Sequence, residues 1–308
     1  MKPDRTTALA IIGNCIAMTF YGLSFVWTKI AYSYCGPFTL ILARLLLSAV
    51  LLTLVDAIFP RAAHSAESRR VPGKKDLIAI GALSLFMPFL YFVGENLGLV
   101  QISPGIAAAI IALIPVATPL MARIFLKEKV GLLTIAGIML SLGGVLLMIG
   151  AGLASASATL AGAGLVFLAV IAAASGAVVV RGLPSGLHPI TIVKYQNIFG
   201  ALLFLPLFLI FELPEAPHIQ LAPELVWSVL ALAALPSTVS YVLYNNAIRV
   251  LGPSRASVYS NAVPVIAAVF SALLLGEGFG PGKLFGMAMV VGGVVLAQLR
   301  RARIQAED

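Results

Sequence analysis

Charge is what this chain has least of. Charged residues fill 10% of its 308 positions against 60% hydrophobic, and acids number only 12. That is too little charge to solvate a globular surface, which excludes an ordinary soluble protein. Most side chains must face lipid or other apolar helices. Cysteine is nearly absent as well: Cys15 and Cys35 stand about 20 residues apart on one apolar stretch, ~30 Å by helical rise, so no disulfide joins them. His64, His188 and His218 are scattered over loops, which leaves no Cys/His metal cluster, and neither a metal nor a cofactor is expected. The first apolar stretch is too long for a cleavable signal peptide and lacks an A-x-A-like exit, so it reads as a span.

What is present is a duplication. Shifted by 152 residues, Lys29, Pro37, Thr39 and Ala49 fall on Arg181, Pro189, Thr191 and Ala201. Shifted by 149, Asn96, Pro104, Pro115, Glu128, Gly137 and Gly143-Gly144-Val145 fall on Asn245, Pro253, Pro264, Glu277, Gly286 and Gly292-Gly293-Val294. The pattern predicts an all-α membrane protein with ten spans, near 7–33, 37–58, 76–98, 103–125, 131–149, 161–182, 189–211, 224–248, 253–275 and 281–299. Most are long enough to cross a hydrocarbon core of ~30 Å. Five spans per copy is an odd number, so residues 1–150 and 151–308 form two five-helix repeats of opposite orientation, with a shared site near the midplane.

Basic residues cluster in every second loop: Lys2 and Arg5, then Arg61 to Lys75, Lys127 and Lys129, Arg181, Arg249 and Arg255, and Arg300 to Arg303. The intervening loops carry Glu212, Glu215, Glu224, Glu277 and Lys283. The positive-inside rule then puts both termini in the cytoplasm. The net charge of +8 is a topology signal, and nucleic acid is not an expected partner.

Several short stretches carry a family resemblance. Tyr21-Gly22-Leu23-Ser24-Phe25-Val26, Arg44-Leu45-Leu46-Leu47, Ile114-Pro115-Val116 through Leu126-Lys127-Glu128, and the paired Gly-Gly-Val motifs resemble EamA-type transporters of the drug/metabolite transporter superfamily. The resemblance covers nearly the whole chain. It implies a multi-pass carrier of a bacterial inner membrane, exporting amino acids or other small metabolites, often on the proton gradient; relatives exchange sugar phosphates or nucleotide sugars. Tyr21 stands where that family usually has Trp, and Glu95 belongs to none of its motifs.

An intramembrane charge costs roughly 2.5–3.5 kcal/mol on insertion scales, so each one needs a reason. Glu95 is the one acid well inside a span, sharing a face with Ser84, Pro88 and Tyr91. It is either a proton carrier or ammonium anchor, or the structural partner of Arg44 or Lys29. Arg44 and Lys194 could each receive an anionic group, or Lys194 could snorkel to the surface. Ser237, Tyr241, Tyr244 and Asn245 form a stripe on span 8, answered by Ser257, Ser260, Asn261 and Pro264 on span 9. Such stripes must face each other or a wet cavity. Tyr21 and Ser24 offer the matching face of span 1, and the small residues 172–177 of span 6 are either tight packing or a cavity wall.

The expected solute site therefore comprises Tyr21, Ser24, Tyr91, Glu95, Ser237, Tyr241, Tyr244, Asn245, Ser257 and Asn261, with Glu95 and Arg44 as coupling candidates. Pro115 and Pro264 are repeat-equivalent gating prolines, and Glu128 and Glu277 read as helix caps. No nucleophile, metal or acid/base pair lies at a common depth, which argues against an enzyme. The expected function is alternating-access transport of a small polar solute across the bilayer, an amino acid first, with protons as the coupling ion. Export of an organic cation or drug is the main alternative, ahead of sugar-phosphate or nucleotide-sugar exchange.

Overall fold

The computed structural model describes residues 5–58, 72–117, 121, 132–154, 158–181, 187, 189–251, 259–278 and 280–304. Among them the regular structure is helical throughout. Six helices are long and apolar enough to cross a membrane, and four shorter apolar helices accompany them. We number them α1 (Arg5–Ala31), α2 (Pro37–Ile58), α3 (Lys74–Ser84 continuing through Tyr91–Gln101), α4 (Pro104–Ile111), α5 (Leu132–Ala154), α6 (Leu160–Arg181), α7 (Pro189–Phe211), α8 (Pro223–Ala234 continuing through Ser240–Leu251), α9 (Ala262–Leu275) and α10 (Pro281–Ile304). Pro37, Pro104, Pro189, Pro223 and Pro281 each open a helix, where the missing N–H is no loss and φ is already set. Gly276 adopts φ 66° just past α9, a left-handed stop that suits glycine.

The two halves are inverted. In α5 and α10, a Cβ on Gly144 would come within 2.5 Å of the Gly286 carbonyl, and one on Gly293 within 2.6 Å of the Gly137 carbonyl. Gly137 and Gly286 are repeat-equivalent, as are Gly144 and Gly293, and the contacts advance along one helix while receding along the other. Equivalent helices thus cross antiparallel at a joint where only glycine lets the backbones meet. Ser141 Oγ donates across it to the Val290 carbonyl at 3.2 Å. The α2–α7 pair repeats the relation: Glu212 at the end of α7 meets the start of α2, and Asp56 near the end of α2 meets Lys194 near the start of α7.

The repeats are not separate in space. α1 packs on α8 and α9, and α6 packs on α3 and α4, so each half lends its first helix to the other. Gly94 and Gly98 of α3 lie against the α6 backbone at Leu165, Gly162 and Ala169. The largest core cluster joins Phe25, Ile106, Val145, Val166, Ala267 and Val290, drawn from α1, α4, α5, α6, α9 and α10.

Two spans expected as continuous are interrupted. α3 passes through a π-helical turn at Leu85–Leu90, with Met87 off the helical region, and α8 through one at Leu235–Val239. The turns hold Pro88 and Pro236 and occupy equivalent places in the repeats. Proline removes one ladder bond and crowds the carbonyl four residues back, so the helix widens. Pro206 sits inside α7 without such a break. α4 stops at Ile111, four residues before Pro115, and 3-10-type bonds from Leu113 to Ile110 and Val116 to Leu113 carry the chain past. At the equivalent point a 3-10 turn, Tyr259–Asn261, precedes Pro264 in the first turn of α9.

Candidate solute-binding site

A helix broken inside lipid must have its freed backbone groups satisfied by neighbours, and repeat-equivalent residues touch the two π-turns, one at a backbone carbonyl and the other at a side-chain hydroxyl. Gln196 of α7 donates to the Met87 carbonyl at 2.9 Å. Arg44, its repeat partner on α2, donates from Nε to Ser237 Oγ in the α8 turn at 2.8 Å. Beside Arg44, fully buried Ser48 contacts Thr238 Oγ1 at 3.3 Å and the Ser237 carbonyl at 3.4 Å, and Asn197 donates to Ser48 at 2.9 Å. Thr238 itself donates to the Ala233 carbonyl at 2.9 Å. A neutral amide does the anchoring in one half and a guanidinium in the other.

The charge of Arg44 meets other groups as well. Its guanidinium lies 4.7 Å from the Phe92 ring centroid, a cation–π contact, and is in electrostatic reach of Glu95, Tyr91, Tyr32 and Tyr21. Glu95, 8% exposed, accepts from the Tyr91 hydroxyl at 3.0 Å and faces the Asn96 amide at 3.5 Å. Tyr21 and Tyr244 meet edge to face at 6.5 Å. The repeat partners of Glu95 and Arg44 are Tyr244 and Gln196, so both buried charges belong to the first half alone. They are not bridged: among the described residues the ion pairs within 4.0 Å are Lys194–Asp56 and Lys283–Glu277.

A profile of the EamA-like transporter family matches residues 8–150 and 160–299. This chain belongs to that family. A relative in Archaeoglobus fulgidus, described as an uncharacterized transporter, is 25% identical over 288 residues, 93% of this chain and 97% of its own. A probable terminal-alkyne amino-acid exporter of Streptantibioticus cattleyicolor is 27% identical over 233 residues, 75% of this chain and 76% of its own. One solved crystal structure shares the fold with TM-score 0.65 at 17% identity, over 94% of this chain and 97% of that one. The protein is a multi-pass membrane transporter by family.

Several expectations for this EamA-like chain change with the geometry. Lys29 does not pair with Glu95; its ammonium donates to the carbonyls of Leu99 and Val100 at 2.7 and 3.3 Å, where α3 ends. Lys194 has a partner that the chain alone did not suggest, Asp56 near the end of α2, at 2.5 Å. Ser237 faces α2 and not α9, since α8 docks on α2. Glu277 takes Ser271 and Lys283 as partners in place of the free N–H groups of α10. Two expected site residues also have contacts within the protein: Ser24 bonds back to the Tyr21 carbonyl at 2.7 Å, and Tyr241 packs on Leu52, Ile190 and Val193. In the small-residue run of α6, Ala172, Ala173 and Ala174 are buried and Gly176 is packed, since a Cβ there would sit 3.1 Å from Met87. Ser257 and Glu128 lie outside the described residues, as do the side chains of Asn245 and Asn261.

Sequence reasoning missed Ser48, Asn197, Asp56 and Glu212. The shift of 152 that aligns Arg44 with Gln196 was the available signal for the anchoring pair; the others have partners more than 130 residues away.

Proposed function

We propose that this chain is a secondary active transporter that moves a small zwitterion, an amino acid first, by alternating access, outward or in exchange. The observation that carries the reading is a buried carboxylate and a buried guanidinium in each other's field, each held by neutral groups and not by the other. Glu95 is placed to take the solute's ammonium and Arg44 its carboxylate. Tyr21, Tyr91 and Tyr244 supply walls that are apolar on the face and polar at the tip. Glu95, once protonated, is the carrier of a coupling proton. The amino-acid exporter among the relatives supports the solute class. With Lys194 neutralised by Asp56, Arg44 is the cation left to this site, which suits a single carboxylate better than a sugar phosphate or nucleotide sugar.

The exchanged helices set the moving parts. Residues 1–150 and 151–308 are the repeats, but α1 packs on α8 and α9 while α6 packs on α3 and α4, and the α2–α7 and α4–α9 contacts join the two groups; we take these two groups as the moving parts. We place the bends of the cycle at the interrupted turns before Pro115 and Pro264, with the basic loops and both termini on the cytoplasmic side of an inner membrane.

The deciding experiment is counterflow of a labelled amino-acid mixture in proteoliposomes, paired with thermal stabilisation of the purified protein. Arg44→Gln copies the second half, so it should fold while weakening zwitterion binding about tenfold or more. Glu95→Gln should abolish proton-dependent uptake. If both variants carry amino acids as the parent does, the reading fails. One observation favours organic cations instead: Tyr32 and Tyr91 both lie in the field of Glu95. Under that reading Arg44→Gln leaves cation binding intact or strengthens it.

A further inference from the structure

A cavity of about 370 Å³ opens where α1 and α7 end and α2 begins, lined by Tyr32, Tyr34, Thr39, Glu212, Glu215 and Ile219 among others. The basic loops assign that end to the outside of the cell. One of its walls has a second attachment. The Tyr32 hydroxyl donates to Asn96 Oδ1 at 2.7 Å and lies 3.2 Å from the Asn96 carbonyl. Asn96 is 2% exposed, and its amide faces Glu95 at 3.5 Å. The Tyr32 phenol, with Asn96 behind it, thus links a cavity open to the outer end to the buried carboxylate.

We propose that this cavity is the entrance by which the ammonium end of the solute reaches Glu95, and that Tyr32 is the side chain that shuts it. The proposal rests on the carrier reading above. The volume lies within the ~300–1,000 Å³ usual for small-molecule sites. Its charge is of one sign: Glu212 serves the α2 backbone, while Glu215 is exposed and lines the cavity with it. Tyr32 and Tyr34 add ring faces, the other surface that attracts an ammonium. The latch is weak enough to work. One neutral hydrogen bond in a half-buried place shifts an equilibrium about fivefold, which an arriving cation can supply. The Tyr32 ring turned away from Asn96 would leave Glu95 facing the cavity.

The test reads access directly and needs no transport. In a chain carrying Cys15→Ser, Cys35→Ala and Glu95→Cys, the new thiol is titrated with trimethylammonium and sulfonate methanethiosulfonates, each rate divided by that for free mercaptoethanol. Adding Tyr32→Ala should speed modification about tenfold, and Tyr32→Phe, which keeps the ring, should move it the same way by less. The cationic reagent should be favoured, and Glu215→Gln should narrow that preference. Asp56→Asn, at the opposite end of the bundle, should leave the rates alone. Unchanged rates in both Tyr32 variants overturn the gate, as does acceleration by Asp56→Asn without any by Tyr32. Equal normalised rates for the two reagents overturn the ammonium assignment. Lost counterflow with the Tyr32 effect intact removes the carrier reading alone; counterflow without that effect removes this proposal alone.

Discussion

Glu212 offers the sharpest test of how the two halves are joined. α2 opens on Pro37, which has no N–H, and Leu40 already donates to the Gly36 carbonyl at 3.1 Å. The helix therefore has two unserved amides in its first turn, those of Phe38 and Thr39. Glu212, from the end of α7, accepts both at 3.0 and 2.6 Å, and accepts the Thr39 hydroxyl at 2.6 Å. A Cβ at residue 36 would overlap this carboxyl, so Gly36 is what lets it seat. A helix cap contributes about 1 kcal/mol, and a charged acceptor at a helix N-terminus adds to it. For a half-buried carboxylate serving three donors we expect Glu212→Ala to cost about 2–3 kcal/mol in unfolding by SDS in mixed micelles. Glu212→Gln keeps an acceptor and loses the charge, and should cost about half as much. Thr39→Val removes one of the three bonds and should cost about 1 kcal/mol. A Glu212→Ala variant within about 0.5 kcal/mol of the parent would refute this role for Glu212.

Three further outcomes follow from other contacts. Lys194→Met should destabilise by about 1–2 kcal/mol, because it takes the ammonium away from an Asp56 carboxylate only 20% exposed, while Lys194→Met with Asp56→Leu should recover at least half; additive losses would refute the pair. Gly98→Val drives a side chain onto Val166 and the Gly162 carbonyl and should cost about 1–3 kcal/mol, whereas Gly81→Ala meets nothing within 4 Å and should be neutral or slightly stabilising. Burial, and then the nearby Glu212, push the Cys35 thiol up from 9.0 to about 12. Its thiolate is therefore scarce at neutral pH and increases about tenfold per pH unit. In a Cys15→Ser background, iodoacetamide labelling should rise steadily to pH 10, and a plateau near pH 9 would contradict this.

Much of the architecture was legible in the chain, because period and hydropathy are local properties. Helix starts came within a few residues where a proline marks them, as at Pro37 and Pro189, since proline acts on its own backbone. The two π-turns were not legible: Pro88 and Pro236 announce a disturbance, but Pro206 lies in an unbroken helix. What separates them is a neighbour able to serve the freed carbonyl, as Gln196 serves Met87. Glu95 and Arg44 stood out as isolated charges in apolar surroundings. Their partners did not, because Ser237 reaches Arg44 only through the docking of α8 on α2. The exchange of α1 and α6 between halves, which sets α1 against both α8 and α9, has no local signature either.

That exchange has a consequence for biogenesis. When α1 leaves the ribosome, the helices it will lie against are still unmade; α8 begins about 190 residues later, roughly 10–40 s at ordinary synthesis rates. Throughout that wait Asn14, Tyr21 and Thr28, all on α1, have no second half to turn toward. Neither half can finish folding before the other is in the bilayer. Two fragments divided between α5 and α6 should accumulate only when made in the same cell.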